Sequence, residues 1–244
     1  MIYPESHMSA RDEDAAAGIE ITDEFERFTQ RNDVFTRAFW DDTVRAKQTD
    51  GFFASYRMQA TPRRGDGFTQ RDFALRNASW LISDVMTDRQ ADQGRRKGFQ
   101  APISYDTPVA PTQVEIDDTA AMSKEIKYVA KFFGADLCGI TDMDERWLYA
   151  SRIDTRDLSE APNEMPEGMT SVIVLGHEMD AELVATYPSA LAGAATGREY
   201  SHEASVVMQL AAYVRNLGYE AVASMNDTAL VIPYAVKAGL GEYA

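Results

Sequence analysis

Cysteine is almost absent from this chain. Its 244 residues include one, Cys138, so no disulfide can close within the chain and no cysteine-held zinc or iron–sulfur centre can be built from it. The setting of that residue, Ala-Asp-Leu-Cys-Gly-Ile, reads as a buried strand with the thiol as a small core group. Basic residues are also in deficit: 24 Lys and Arg stand against 39 Asp and Glu, for a formal net charge of −15. Phosphate binding needs clustered cations, so the acidic balance argues against nucleic acid and anionic membrane surfaces as partners. No apolar run reaches the roughly 18 residues that a membrane span requires. The N-terminus has neither a secretory apolar region nor a twin-arginine signal, which predicts a cytoplasmic protein or an exported one whose leader has been removed. HExxH, P-loop, GxSxG and kinase signatures are missing as well.

What is present has an ordinary globular balance, 45% hydrophobic and 26% charged, in a length that suits one large or two small domains. Residues 1–22 are acidic and Ala-rich with little periodicity, and predict a mobile arm. Residues 23–116 predict an irregular, aromatic-rich wrapping segment. In it Phe25, Phe28, Val34, Phe35, Phe39 and Trp40 stand among charges, and turn clusters surround a helical FALRNASWLISDVM. So much loop predicts a segment that lines a site or wraps something.

Residues 117–244 carry the regular patterning. Met122, Ile126, Val129, Ala130 and Phe133 fall at helical spacing and end at Gly134. ADLCGIT reads as a strand, and TSVIVLG as a strand buried on both faces. A helix predicted to start near Tyr200 runs to Asn216-Leu-Gly218. YEAVASM reads as a strand, and IPYAVKAGLG as a short helix opened by Pro233. Strands alternating with helices predict an α/β or α+β layered domain.

Few residues here carry chemistry by their pattern alone. Tyr200, placed at a helix N-terminus near Arg198, would have a lowered pKa and could donate a proton. The commoner role for such a residue is an amphipathic core tyrosine with a satisfied hydroxyl. His202 reads as structural rather than as a metal ligand, and no metal site is expected. The turn Met225-Asn-Asp-Thr-Ala229 sits at a strand end, where α/β folds place ligands. Asn226 there could donate to a substrate or cofactor amide while Asp227 caps the next turn, although an ordinary Asx-turn explains both. Gly239-Leu-Gly241 lacks the GxGxxG spacing of a dinucleotide site, and its glycines suit close backbone approach to a bulky partner.

Three stretches, in this order, resemble the corrinoid-dependent reductive dehalogenases, whose core is related to epoxyqueuosine reductase. They are GADLCGITDMDERWLY at 134–149, REYSHEAS with the AAYVRNLGYEA crossover, and NDTALVIPYAVKAGLGE. FTQRNDVFTRA near the N-terminus is similar too. The resemblance implies an incomplete nitroreductase-like layered sheet with helices, forming the N-terminal part of a corrinoid-binding domain. It implies cobalamin as cofactor and reductive removal of halide from an organohalide, with a tyrosine protonating the carbon. By motif, Tyr200 matches that tyrosine and Asn226 an active-site asparagine. Phe35, Thr36 and Trp80 would line the substrate pocket. Met225, Asp227, Gly239 and Gly241 would contact the cofactor.

The family pattern continues into two [4Fe–4S] clusters, for which this chain has no ligands. The resemblance therefore implies a C-terminal half as partner and an electron donor such as ferredoxin, flavodoxin or a fused reductase, with the isolated chain inactive. A non-catalytic or vestigial corrinoid-binding module remains the alternative, and a flavin nitroreductase-like protein a third.

Overall fold

Five of the described α-helices start at short polar side chains that satisfy the free amides of a first turn. The computed structural model describes residues 14–47, 65–92, 108–154, 157–225 and 228–243, with the side chains of 87–92 excepted. Residues 1–13 of the expected arm, Asn226 and Asp227 lie outside them. Asp33 opens α1 (Val34–Trp40) by accepting from the amides of Phe35 and Thr36. Thr69 and Asp72 bond reciprocally at the start of α2 (Gln70–Asp92), a capping box written as Thr-x-x-Asp. Asp118 caps α3 (Thr119–Phe133), which Gly134 ends in the left-handed region at φ +118°. Asp180 caps the short α4 (Ala181–Val184) and Ser189 caps α5 (Ala190–Asn216). The last helix, α6 (Val231–Lys237), carries Pro233 in its first turn, where the missing amide costs nothing.

Among the described residues the strands form two small antiparallel sheets. β1 (Leu137–Asp142) pairs with β4 (Ser171–Gly176) in a register that sets Leu137 opposite Gly176 and Asp142 opposite Ser171. β2 (Ser151–Ile153) pairs with β3 (Glu160–Pro162). The architecture is thus mixed α/β. α3, β1 and α5 enclose one core cluster containing Ala130, Cys138, Val206 and Leu210, which gives Cys138 the core role its sequence predicts. Burial pushes its thiol above the ordinary value, the opposite of a reactive cysteine.

Three expectations change. α5 begins at Ala190, not near Tyr200, because Ser189 caps an alanine-rich turn and the helix runs straight through Gly193 and Gly197. Residues 219–225 form no hydrogen-bonded strand among the described residues. The isolated bridge comes just after them, between Leu148 and Ala229. β4 is not buried on both faces: only Val174 is fully buried, since one edge pairs with β1 and the strand also lines a cavity.

The part of the N-terminal segment that is described, from Asp14 onward, is docked. Asp14 is 2% exposed and bonds Arg146 at 2.7 Å and Lys237 at 3.4 Å. Arg146 and Lys237 share a second carboxylate, Asp144, and Ile19 and Ile21 pack on the cluster of Trp147, Val174 and Tyr234. The Asp144 carboxyl is held below its ordinary range by Arg146 and Lys237 against the opposing effect of its burial.

α2 and α5 lie against each other and run parallel. The amide of Ala190 bonds the carbonyl of Gly67, Arg76 lies over Gly193, and Trp80 lies over Gly197. A Cβ at Gly197 would sit 2.4 Å from Trp80 Cδ1, closer than packing allows. Helix propensity alone predicts that Gly197→Ala stabilises by about 1 kcal/mol. The contact reverses the sign: we expect Gly197→Ala to destabilise by roughly 1–3 kcal/mol, read as a lower urea midpoint at unchanged slope.

Candidate functional site

The small residues of α5 determine what its α2-facing side can hold. Gly193, Gly197, Tyr200 and Ala204 recur at helical spacing and share that side. Trp80 is 4% exposed, donates from Nε1 to the Gly193 carbonyl at 3.0 Å, and stacks on Tyr200 with ring centroids 5.2 Å apart and planes at 22°. Tyr200 also packs on the cluster of Ala204, Ala223 and Met225. The structure therefore brings Tyr200, Trp80 and Met225 together. Tyr200 does not sit at a helix N-terminus, however. It lies well inside α5, and the helix-end field that would have activated it there fades within the first turn. Arg198 is paired with Glu199 at 2.7 Å.

The other predicted residues are carried by α1, the end of α6 and the segment around residue 228. Thr36 is fully buried and Phe35 is partly exposed in α1, which packs on the turn Gln30–Asn32. Gly239, at φ +74°, closes α6. Its amide bonds the Val236 carbonyl and the Leu240 amide reaches Ala235, so helix termination accounts for this glycine. A Cβ at Gly239 or Gly241 would meet nothing within 4 Å, so neither is required here by a close approach. Of residues 225–229, Met225, Thr228 and Ala229 are described, and the first two are buried. The Thr228 carbonyl accepts from the Tyr149 amide at 2.9 Å and from Asn163 Nδ2 at 2.9 Å, and Leu230 N–H bonds Trp147. Residues 147–149 and 228–230 thus form one paired unit.

A cavity of about 430 Å³ lies between β4, α5 and residues 219–225, walled by Val172, Val174, Val207, Ala223 and Met225. Tyr200 packs on the cluster of Ala204, Ala223 and Met225 and is not among the cavity's lining residues. Neither Gly239 nor Gly241 lines it either. Met225 and the two glycines do not surround one space, so the described residues do not by themselves fit a corrinoid as a cradle. The lone buried thiol does not fit an iron–sulfur cluster. No group of three or more metal-ligating side chains occurs among the described residues, and no described helix is long and apolar enough to cross a membrane.

Sequence reading missed a histidine pair. His202 is not alone: its Nε2 bonds the Gly134 carbonyl at 3.0 Å, which requires a proton on that nitrogen. His177, just past β4, meets it edge-to-face with ring centroids 5.1 Å apart, and both of its buried ring nitrogens lack a hydrogen-bond partner among the described residues. No spacing signal links residues 177 and 202, so only the fold could show the pair. Gly193 and Gly197, which shape the seat of Trp80, also carry no motif.

No protein-family model matches the chain. Related sequences do. A tetrachloroethene reductive dehalogenase of Dehalobacter restrictus is 33% identical over 167 residues, covering 53% of this chain and 30% of that protein. One of Desulfitobacterium hafniense is 32% identical over the same length. A third, of Sulfurospirillum multivorans, is 23% identical over 278 residues, covering 93% of this chain and 54% of that protein. The chain therefore spans between about a third and about half the length of these relatives. Among solved structures, the catabolic reductive dehalogenase NpRdhA matches with a TM-score of 0.58 at 18% identity, over 91% of this chain and 28% of that one. That likeness shows a shared fold.

The His177 imidazole is held below its ordinary value of 6.5, by burial first and by His202 second, against the weaker pull of Asp136 and Glu199. Below pH 6.5 the unfolded chain takes up a proton that the folded chain resists, so stability is lost on acidification and regained as the pH rises. We expect His177→Phe to flatten this dependence between pH 5 and 7 in urea titrations, where about 1 kcal/mol resolves the two slopes.

Proposed function

The chain is a relative of the reductive dehalogenases, and we propose that it supplies the proton-donor part of such an enzyme, acting on an organohalide. The reaction is R–X + 2e⁻ + H⁺ → R–H + X⁻, with the electrons from a low-potential donor such as ferredoxin, flavodoxin or a fused reductase. Tyr200 gives its phenolic proton to the carbon as the carbon–halogen bond breaks, and solvent restores it. Asn226 orients the substrate, while Trp80 supplies a dry aromatic wall.

The observation that carries this reading is the stack of Trp80 on Tyr200, in a chain whose relatives bear that activity in their names. A tyrosine in an aromatic, water-poor setting holds its proton until a strong base, here a developing carbanion, takes it. Cobalamin dependence belongs to the proposal and rests on the family resemblance. Because the described residues build no cradle for that group, no step above runs through it. Residues 117–244 are proposed as part of a nitroreductase-like corrinoid domain completed by a C-terminal portion, working in the cytoplasm.

The test is halide release from a chlorinated ethene by the complete enzyme containing this sequence, under a low-potential reductant. Tyr200→Phe should slow it by about 10²–10⁴-fold, the usual worth of one positioned acid, with substrate binding retained. Release at the wild-type rate in that variant removes Tyr200 as the donor.

A further inference from the structure

Three features of α5 converge on one position of α2. Trp80 Nε1 is fixed on the Gly193 carbonyl, its ring fills the gap over Gly197, and its face covers Tyr200. On the neighbouring turn, Ser201 Oγ donates to the Ser79 carbonyl at 2.6 Å and accepts from the Ser83 amide at 3.1 Å. That hydroxyl spans the rung of the α2 ladder between Ser79 and Ser83, the rung that brackets Trp80. The two helices are therefore locked in register at the level of Tyr200, by a ring on one side and a hydroxyl on the other. A side chain lying on a helix surface needs neither device to be buried.

We propose that Trp80 is a positioning residue for Tyr200, and that the Ser201 bridge holds Trp80 at the depth where its indole face restrains the phenol ring. The inference rests on the donor role proposed for Tyr200. Rings stacked with this offset attract each other beyond the burial of their surfaces, so the phenol has a preferred place on the indole. A restrained ring matters because misplacement of a reacting group by about 1 Å can cost about 10²-fold in rate. The Nε1 bond sets the rotation of the indole, so the phenol meets a surface of fixed orientation.

The test uses the chain with ring-labelled tyrosine, Trp80→Phe and Trp80→Leu, and NMR of the Tyr200 ring, assigned by its loss in Tyr200→Phe among the 11 tyrosines. The wild type should show an upfield ring-current shift and slow ring flipping. Trp80→Phe should keep the slow flip and Trp80→Leu should lose it. Ser201→Ala should give an intermediate rate. In the complete enzyme, Trp80→Leu should lower kcat about 10²-fold with KM changed little, and Trp80→Phe should restore most of it.

An unchanged Tyr200 ring signal in Trp80→Leu overturns the proposal, as does a loss confined to KM. If Trp80→Leu does not fold, Ser201→Ala and Trp80→Phe decide it, because identical ring dynamics in both and in the wild type also overturn it. Full turnover by Tyr200→Phe would instead remove the donor role, and the ring measurements on the chain would stand apart from that result.

Discussion

The close approach of α2 to α5 through Gly193 and Gly197 is the constraint on which the rest of the candidate site depends. Without those two gaps, Arg76 and Trp80 would have no room, since an added Cβ would lie 2.6 Å and 2.4 Å from them. With them, a tryptophan is buried between two parallel helices and comes to rest on Tyr200. Burial of a large aromatic contributes roughly 3 kcal/mol, more than the cost of about 1 kcal/mol for each helical glycine. Packing therefore outweighs propensity, which is why α5 runs unbroken through residues that look like a helix boundary.

A second constraint joins segments that are distant in sequence. Asp14, Asp144, Arg146 and Lys237 form one network of alternating charge, with Asp14 almost fully buried. Arg146 is held firmly protonated by its bonds to Asp144 and Asp14. Beside it, Tyr234 donates to the Asp144 carbonyl at 2.6 Å, and burial pushes its phenol up to about 12. The bridge between Leu148 and Ala229 continues the same seam. Two of the stretches that resemble the dehalogenases, at 134–149 and 226–242, thus lie against each other.

The sequence made α3 legible, since its apolar spacing and Gly134 stop are both local signals. β1 and β4 were legible as strands because their apolar runs are bounded by turns, although antiparallel pairing left β4 more open than a run of that kind implies. The start of α5 was not legible. Ala-Thr-Gly-Arg reads as a break, and only the tryptophan seated over Gly197 explains why the helix continues. Residues 219–225 have the apolar alternation of a strand, yet a ladder needs a partner that no local pattern can reveal. The importance of Tyr200 came from a motif and not from its assumed helix-end position, which the structure moves to mid-helix. Phe35 and Thr36 were placed by resemblance, and α1 carries them beside the turn Gln30–Asn32.

Native-state hydrogen exchange tests the central claim, that α2 and α5 form one cooperative unit around Trp80 and Tyr200. The account predicts that amides of residues 76–86 and 193–210 open with the same free energy, within about 1 kcal/mol. Exchange of the α2 amides orders of magnitude faster than those of α5 would mean that α2 frays independently, and it would contradict a fixed seat for Trp80 on Tyr200.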